Sequence, residues 1–308
     1  MKNILITGGA GSIGGSLARA LSESGKYHVV IFDNLSTGSK AKLPSHQNRN
    51  WTFIHGDVNN WQDISTVMLT WKFDYVFHYA AVVGVKRTLS NPIAVLGDIE
   101  GIKNVLSLAK NTGVKRFFFS SSSEVYGEPI EIPQNENTTP LNSRLPYAIV
   151  KNTAEAYINS YYKEYGLNFT IFRFFNTYGP LQSTDFVIPK FLSTARENKE
   201  IGIYGDGKQT RTFMFIDDNV RVTLERLEKE LFINEVVNLG SDLEISILDL
   251  AQKVISLSGS NSRIIHLPAL AEGDMSRRQP DISKLRQSYN RPFTSIDDGL
   301  RKLIEFGG

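Results

Sequence analysis

Tyr147 and Lys151 stand four positions apart, a spacing that puts both side chains on one face of a helix. A phenol ordinarily keeps its proton until about pH 10. A neighbouring ammonium lowers that value, so the pair is a candidate for taking a proton from a substrate hydroxyl near neutral pH. A Tyr-x-x-x-Lys spacing is common on ordinary helix surfaces, and its surroundings single this one out. It follows an apolar run that ends in Ser120-Ser-Ser-Ser-Glu124, which supplies a hydroxyl partner and a carboxylate. It also follows residues 128–146, a polar stretch rich in Pro and Asn. Ordered loops of that length are uncommon and usually functional.

A second group with chemistry in it opens the chain. Ile4-Leu-Ile-Thr-Gly-Gly-Ala-Gly-Ser-Ile-Gly14 runs a strand into a glycine turn and then into a helix. Gly8 suits the tight turn, Gly11 lets a pyrophosphate approach the backbone, and Gly14 allows close helix–strand packing. The helix start at Ser12 and Ile13 offers unpaired N–H groups and a favourable dipole to phosphates. Asp33 closes the next strand-like run, where a carboxylate meets the ribose hydroxyls of a dinucleotide. Such a charge repels a 2′-phosphate, so NAD is expected rather than NADP; Lys40 and Lys42 lie further on and soften that preference. Asp57, after the third run, is placed to reach the adenine amino group. An oxidised nicotinamide adds a positive charge that further favours the Tyr147 anion.

These groups need a scaffold, and up to about residue 180 the chain alternates short apolar runs with helix-period segments. The runs are 4–7, 28–33, 51–55, 75–79, 116–120 and 169–175; the helical segments include 12–22, 63–70, 99–112 and 148–165. This alternation predicts an α/β fold, a Rossmann-like doubly wound parallel sheet with helices on both faces. After Gly179 the pattern becomes irregular. One helix is well marked, with Ser246 as cap, Asp249 at capping-box spacing, Ile247, Leu250, Val254 and Leu257 on one face and Gly259 at its end. Residues 1–180 are expected to form the NAD-binding domain. Residues 181–308 are expected to form a smaller, interleaved substrate domain with segments returning to the first.

Composition narrows the classes. The 308 residues carry a formal net charge of +2 and no cysteine, so disulfides, zinc–thiolate sites and a cysteine nucleophile are excluded. No strong field recommends nucleic acid or an anionic membrane as partner. No apolar stretch reaches the length of a membrane span, the first residues are too short for a signal peptide, and no metal site is expected. A cytoplasmic location is expected.

With these residues the chain resembles the extended short-chain dehydrogenase/reductase family, the NAD-dependent nucleotide-sugar epimerases and dehydratases. The resemblance spans essentially the whole chain: Thr7-Gly-Gly-Ala-Gly-Ser-Ile-Gly14, Asp33-Asn34, Gly56-Asp57-Val58, His78-Tyr-Ala-Ala81, Ser121-Ser-Ser-Glu-Val-Tyr-Gly127, Tyr147-x-x-x-Lys151, Arg173-Phe-Phe-Asn-Thr-Tyr-Gly-Pro180, Gly205-Asp-Gly-Lys-Gln-Thr-Arg211 and Arg278-Gln-Pro-Asp281. It implies that Tyr147 takes the sugar 4-hydroxyl proton while hydride leaves C4. It also implies that Lys151 binds the nicotinamide ribose and lowers the tyrosine pKa, and that Ser122 bonds the same sugar oxygen. Asn34, Val58, Ala80 and Ala81 are implied at the cofactor. Val85, Lys86, Asn176, Val187, Tyr204, Arg211 and Arg278 are implied at a nucleotide-sugar, most simply a UDP-sugar, with Asn176 and the two arginines on its diphosphate. A homodimer through the helices over 99–112 and 148–165 is implied as well.

One position departs: many relatives carry Asn-x-x-Gly-Thr where this chain reads Asp98-Ile-Glu-Gly-Ile102. The reaction after C4 oxidation stays open among three outcomes. Returning the hydride to the other face gives 4-epimerisation; losing carbon dioxide from a hexuronate gives decarboxylation; removing the C5 proton and losing water from C6 gives 4,6-dehydration. Glu124, at the position of a C5 base, puts dehydration slightly ahead; Ser123 stands where one dehydratase group has Asp, and another dehydratase group manages with Thr-Ser-Glu. A non-catalytic NAD-binding sensor is the alternative of another class, and intact Ser122, Tyr147 and Lys151 speak against it.

Overall fold

The strands are apolar on both sides. In the first, Ile4 and Ile6 pack on one face with Leu17 and Leu21, while Leu5 packs on the other with Val30 and Val76; all are buried. Alternate side chains of a strand point to opposite faces, so a sheet covered by helices on both needs such continuous runs. The computed structural model describes residues 1–269 and 277–307. Its sheet is built from β1 (Lys2–Thr7), β2 (Tyr27–Asp33), β3 (Trp51–His55), β4 (Tyr75–His78), β5 (Arg116–Ser122), β6 (Phe169–Phe174) and the strand Glu235–Leu239. All seven are parallel, ordered Glu235–Leu239, β6, β5, β4, β1, β2, β3. The chain therefore winds outward in both directions from the β1/β4 seam, and a crevice opens at the carboxyl ends there.

Helices α1 (Ser12–Glu23), α2 (Trp61–Thr70), α3 (Val85–Ser90), α4 (Pro92–Thr112) and α5 (Pro146–Tyr165) connect these strands. Two differences from the expected elements matter. β5 runs on to Ser122, which carries that hydroxyl to the strand's end. The expected helix over 99–112 begins at Pro92 and is preceded by α3. Its first turns escape a core-facing pattern because Ile93 and Leu96 are exposed; proline is well tolerated at that first position.

After β6, α6 (Val187–Arg196), α7 (Ile216–Glu228) and α8 (Ile247–Ser258) are interleaved with short strands. Thr210–Thr212 lies between Glu244–Ser246 and Arg277–Arg278. α7 packs on α1 and is followed by Glu235–Leu239, which adds to the main sheet beside β6. The Ser246 hydroxyl accepts the Asp249 N–H and Gly259 closes α8, as the capping pattern predicts. Among the described residues, no helix is long and apolar enough to cross a membrane.

Candidate active site

A cleft of about 740 Å³ lies over the carboxyl ends of the strands, between the sheet and the later segments. At its cofactor end, Gly8 adopts φ 69° and donates its N–H to Phe32 O at 2.8 Å. A Cβ on Gly8 would sit 2.6 Å from Ala80 N, and one on Gly14 would collide with Gly8 O. Only glycine fits the two positions. No side chain caps α1 and none of its first-turn residues is acidic; Ser12 and Ile13 line the cleft, and a helix start of this kind suits a phosphate. Asp33 ends β2, with Oδ2 accepting from Ala10 N–H at 3.0 Å and Oδ1 from Leu35 N–H at 2.7 Å. Asn34 donates to Asp57 at 3.0 Å. Val58, Ala80 and Ala81 complete this wall. The cradle has the shape and donors for a dinucleotide.

Tyr147 is the second residue of α5 and Lys151 follows one turn later. Lys151 Nζ lies 5.7 Å from the Tyr147 ring centre and 4.7 Å from that of Phe119. Burial pushes the lysine down to about 8, against the charges of Asp98 and Glu155. Burial and the Glu124 charge push the Tyr147 phenol up; its hydrogen bond with Ser122 and the Arg278 charge work the other way. The Arg278 charge is thus one that opposes the rise. Ser122 Oγ also accepts the Glu124 N–H at 3.1 Å. Behind this group, His78 is fully buried, its Nδ1 2.8 Å from Thr7 Oγ1, and burial lowers it to about 3.

At the other end, Arg278 pairs with Arg211 in strand register. Arg278 donates to Glu124 Oε1 at 2.9 Å, the two side chains 6% and 17% exposed. Asn176 donates to Thr212 O at 3.0 Å. Val187 opens α6, and Tyr204 lies under Lys190 Nζ at 5.6 Å from its ring centre.

Residues 4–240 match the pattern of the NAD dependent epimerase/dehydratase family. The chain belongs to that family. It is 35% identical to the UDP-N-acetyl-alpha-D-glucosaminuronate decarboxylase of Bacillus cytotoxicus, with 99% of this chain and 97% of that protein covered. It is 33% identical to UDP-glucuronic acid decarboxylase 1 of Arabidopsis thaliana, covering 98% of this chain and 68% of that one. Among solved structures, the UDP-glucose 4-epimerase of Thermotoga maritima with UDP-glucose aligns at a TM-score of 0.92 and 31% identity, covering 99% and 98%. The protein is accordingly an NAD-dependent enzyme of the nucleotide-sugar epimerase/dehydratase class.

As a member of this family it brings into one cleft all the residues singled out in the sequence apart from Val85 and Lys86, whose side chains lie outside the described residues. Arg278, expected on a diphosphate, donates to Glu124 beside Ser122 and Tyr147. The sequence reading missed the Arg87–Asp185 ion pair, 2.7 Å, which joins α3 to the turn before α6 along the cleft. It also missed Lys190, three positions beyond Val187 on α6, a helical spacing that would have found it.

Proposed function

We propose that this enzyme decarboxylates a UDP-hexuronate. The observation that carries the reading is the buried Glu124–Arg278 pair at the catalytic end of the cleft. A 4,6-dehydratase must protonate a leaving hydroxyl at C6, and the acid beside Glu124 in one dehydratase group is Ser123 here. Decarboxylation has no such requirement. It needs a cation for the C6 carboxylate, which Arg278 supplies, and a proton for C5. The sequence-based preference for dehydration gives way on this ground, and the hexuronate substrates of the two decarboxylase relatives support the change.

NAD, when bound, supplies the hydride acceptor for C4 and returns the hydride at the end. Tyr147 takes the 4-hydroxyl proton, with Ser122 bonding the same oxygen. Because burial holds the phenol's proton on, its loss relies on the positive charge that the cofactor and Lys151 place in the cleft. The 4-ketone makes the C6 carboxylate a β-keto acid. The C5–C6 bond breaks, carbon dioxide leaves, and the electron pair passes into the C4–C5 enolate. C5 then takes up one proton from solvent on the side of Glu124, whose Oε2 is buried without a hydrogen-bond partner among the described residues. Asp33 holds the adenosine ribose; Arg211 and Asn176 hold the diphosphate; Val187 and Tyr204 flank the base. The assembly that fits this reading is a homodimer, since Ile93 and Leu96 on α4 and Ile149 on α5 leave apolar surface exposed on the expected helices. Light scattering over a range of concentrations tests it.

Calorimetric titration tests the substrate. UDP-glucuronate should bind more tightly than UDP-glucose, and Arg278→Met should remove the difference while leaving UDP itself bound. Equal affinity of the unmodified enzyme for both sugars would count against the hexuronate.

A further inference from the structure

β4 and β6 flank β5 in the sheet, and the strand registers set His78 beside Phe119 and Phe174 beside Ser122. The segments that follow β4 and β6 therefore leave the sheet on either side of the end of β5, where Ser122 and Glu124 sit. The first runs through Ala80 and Ala81, on the cofactor wall, to Arg87 in α3. The second runs through Thr177–Tyr178, paired with Met214–Phe215 from the later half, to Asp185 in the turn before α6. Arg87 and Asp185 meet at 2.7 Å, so the two segments join across the end of β5. Both line the cleft, with Val83, Gly84 and Arg87 on one lip and Gln182, Ser183 and Asp185 on the other.

Each partner is tied back into its own lip. Arg87 Nη1 donates to Val83 O at 2.8 Å, while Nη2 reaches Asp185 Oδ2. The Ser183 hydroxyl donates to the same carboxylate oxygen at 3.0 Å, and the Gln182 amide donates to Thr177 O at 2.8 Å. The ion pair that spans the gap has side chains 35% and 39% exposed. A pair so open to water is worth little and weakens with salt, so it breaks and re-forms at small cost. Each lip also holds one residue with left-handed backbone, Gly84 at φ 101° and Leu181 at φ 65°. A few such loop positions are enough to absorb the change of backbone angle when a lid moves. We propose that Arg87 and Asp185 form a latch over the catalytic end of the cleft. Made, it retains a bound dinucleotide; broken, it lets the lips part and ligands exchange. The Arg87 lip continues the wall formed by Ala80 and Ala81, so release of the cofactor is the step that reads it. The latch does not depend on which sugar the enzyme converts.

Stopped-flow release of NADH tests it: enzyme loaded with NADH is mixed with excess NAD, and the nicotinamide fluorescence is followed. Arg87→Met and Asp185→Asn should each speed release by about 3- to 5-fold at low salt, the range open to a partly exposed pair. Combining them should speed it little further, since both remove the same contact. The charge-reversed enzyme Arg87→Asp/Asp185→Arg should return towards the unmodified rate, which mere loss of packing on either lip would not allow. In about 1 M salt, where screening acts within about 3 Å, the unmodified enzyme should release NADH nearly as fast as Arg87→Met. Unmodified rates in both single variants would overturn the latch. So would a charge-reversed enzyme as fast as the single variants, or a gap between the unmodified enzyme and Arg87→Met that high salt leaves undiminished.

Discussion

Glu124 and Arg278 lie 154 positions apart in the chain and 2.9 Å apart in space. The pair joins the end of β5 to the last strand of the small sheet, so the second half of the chain is pinned to the catalytic end of the first. Removing one member leaves the other charge buried. Arg278→Met should cost about 3–5 kcal/mol of stability, and Glu124→Gln/Arg278→Met should cost clearly less than the two single variants added together. Urea unfolding measures both, and strictly additive losses would show that the two groups do not act as a pair.

Tyr147→Phe keeps the ring and deletes the hydroxyl proposed to take the 4-hydroxyl proton. Turnover should fall by roughly 100- to 10,000-fold, while UDP binding is unchanged. Initial rates and a UDP titration check this; a variant with near-normal rates would remove Tyr147 from the chemistry.

Asp33 closes the cofactor end with a carboxylate held by two backbone amides. NAD should bind more tightly than NADP, and Asp33→Ala should narrow the gap, since a 2′-phosphate no longer meets a negative charge. Fluorescence titration of the reduced forms reads it. Equal affinities in the wild type would contradict the assignment.

His78 carries a pH signature of its own. Its folded value is about 3 against an ordinary 6.5, so between those limits the unfolded chain binds the extra proton and stability falls as the pH falls. At pH 5 the loss from this residue is about 2 kcal/mol relative to neutral pH. His78→Asn, which can still bond Thr7, should lose correspondingly less between pH 7 and pH 5 in urea melts. Identical losses in the two proteins would mean that His78 is not held neutral by burial.

The fold was legible because strands buried on both faces read as continuous apolar runs, and β1, β2 and β3 lie where those runs fall. Helices facing the core on one side were equally plain, down to the Ser246 cap. Legibility failed where the core does not dictate the pattern: α3 exposes Leu89 and the first turns of α4 expose Ile93 and Leu96, so no inward period marks them. At the site, the glycine turn, Asp33 and the Tyr147–Lys151 pair were visible through local spacing. The partnership of Glu124 with Arg278 was not, because neither residue's neighbours in sequence hint at a contact so distant along the chain. It is made by Arg277–Arg278 adding beside Thr210–Thr212, which brings Arg278 within 2.9 Å of Glu124.

If the enzyme is the proposed decarboxylase, its substrate loses the C6 carboxylate, and carbon NMR on UDP-glucuronate labelled with carbon-13 at C6 follows that carbon. With purified enzyme and NAD, the label should leave the sugar and appear as carbon dioxide and bicarbonate, in step with formation of a UDP-pentose. If the label stays in the nucleotide-sugar, in an epimerised hexuronate or in unchanged substrate while UDP-hexoses are converted, the enzyme is not a decarboxylase and the reading of the Glu124–Arg278 pair is wrong.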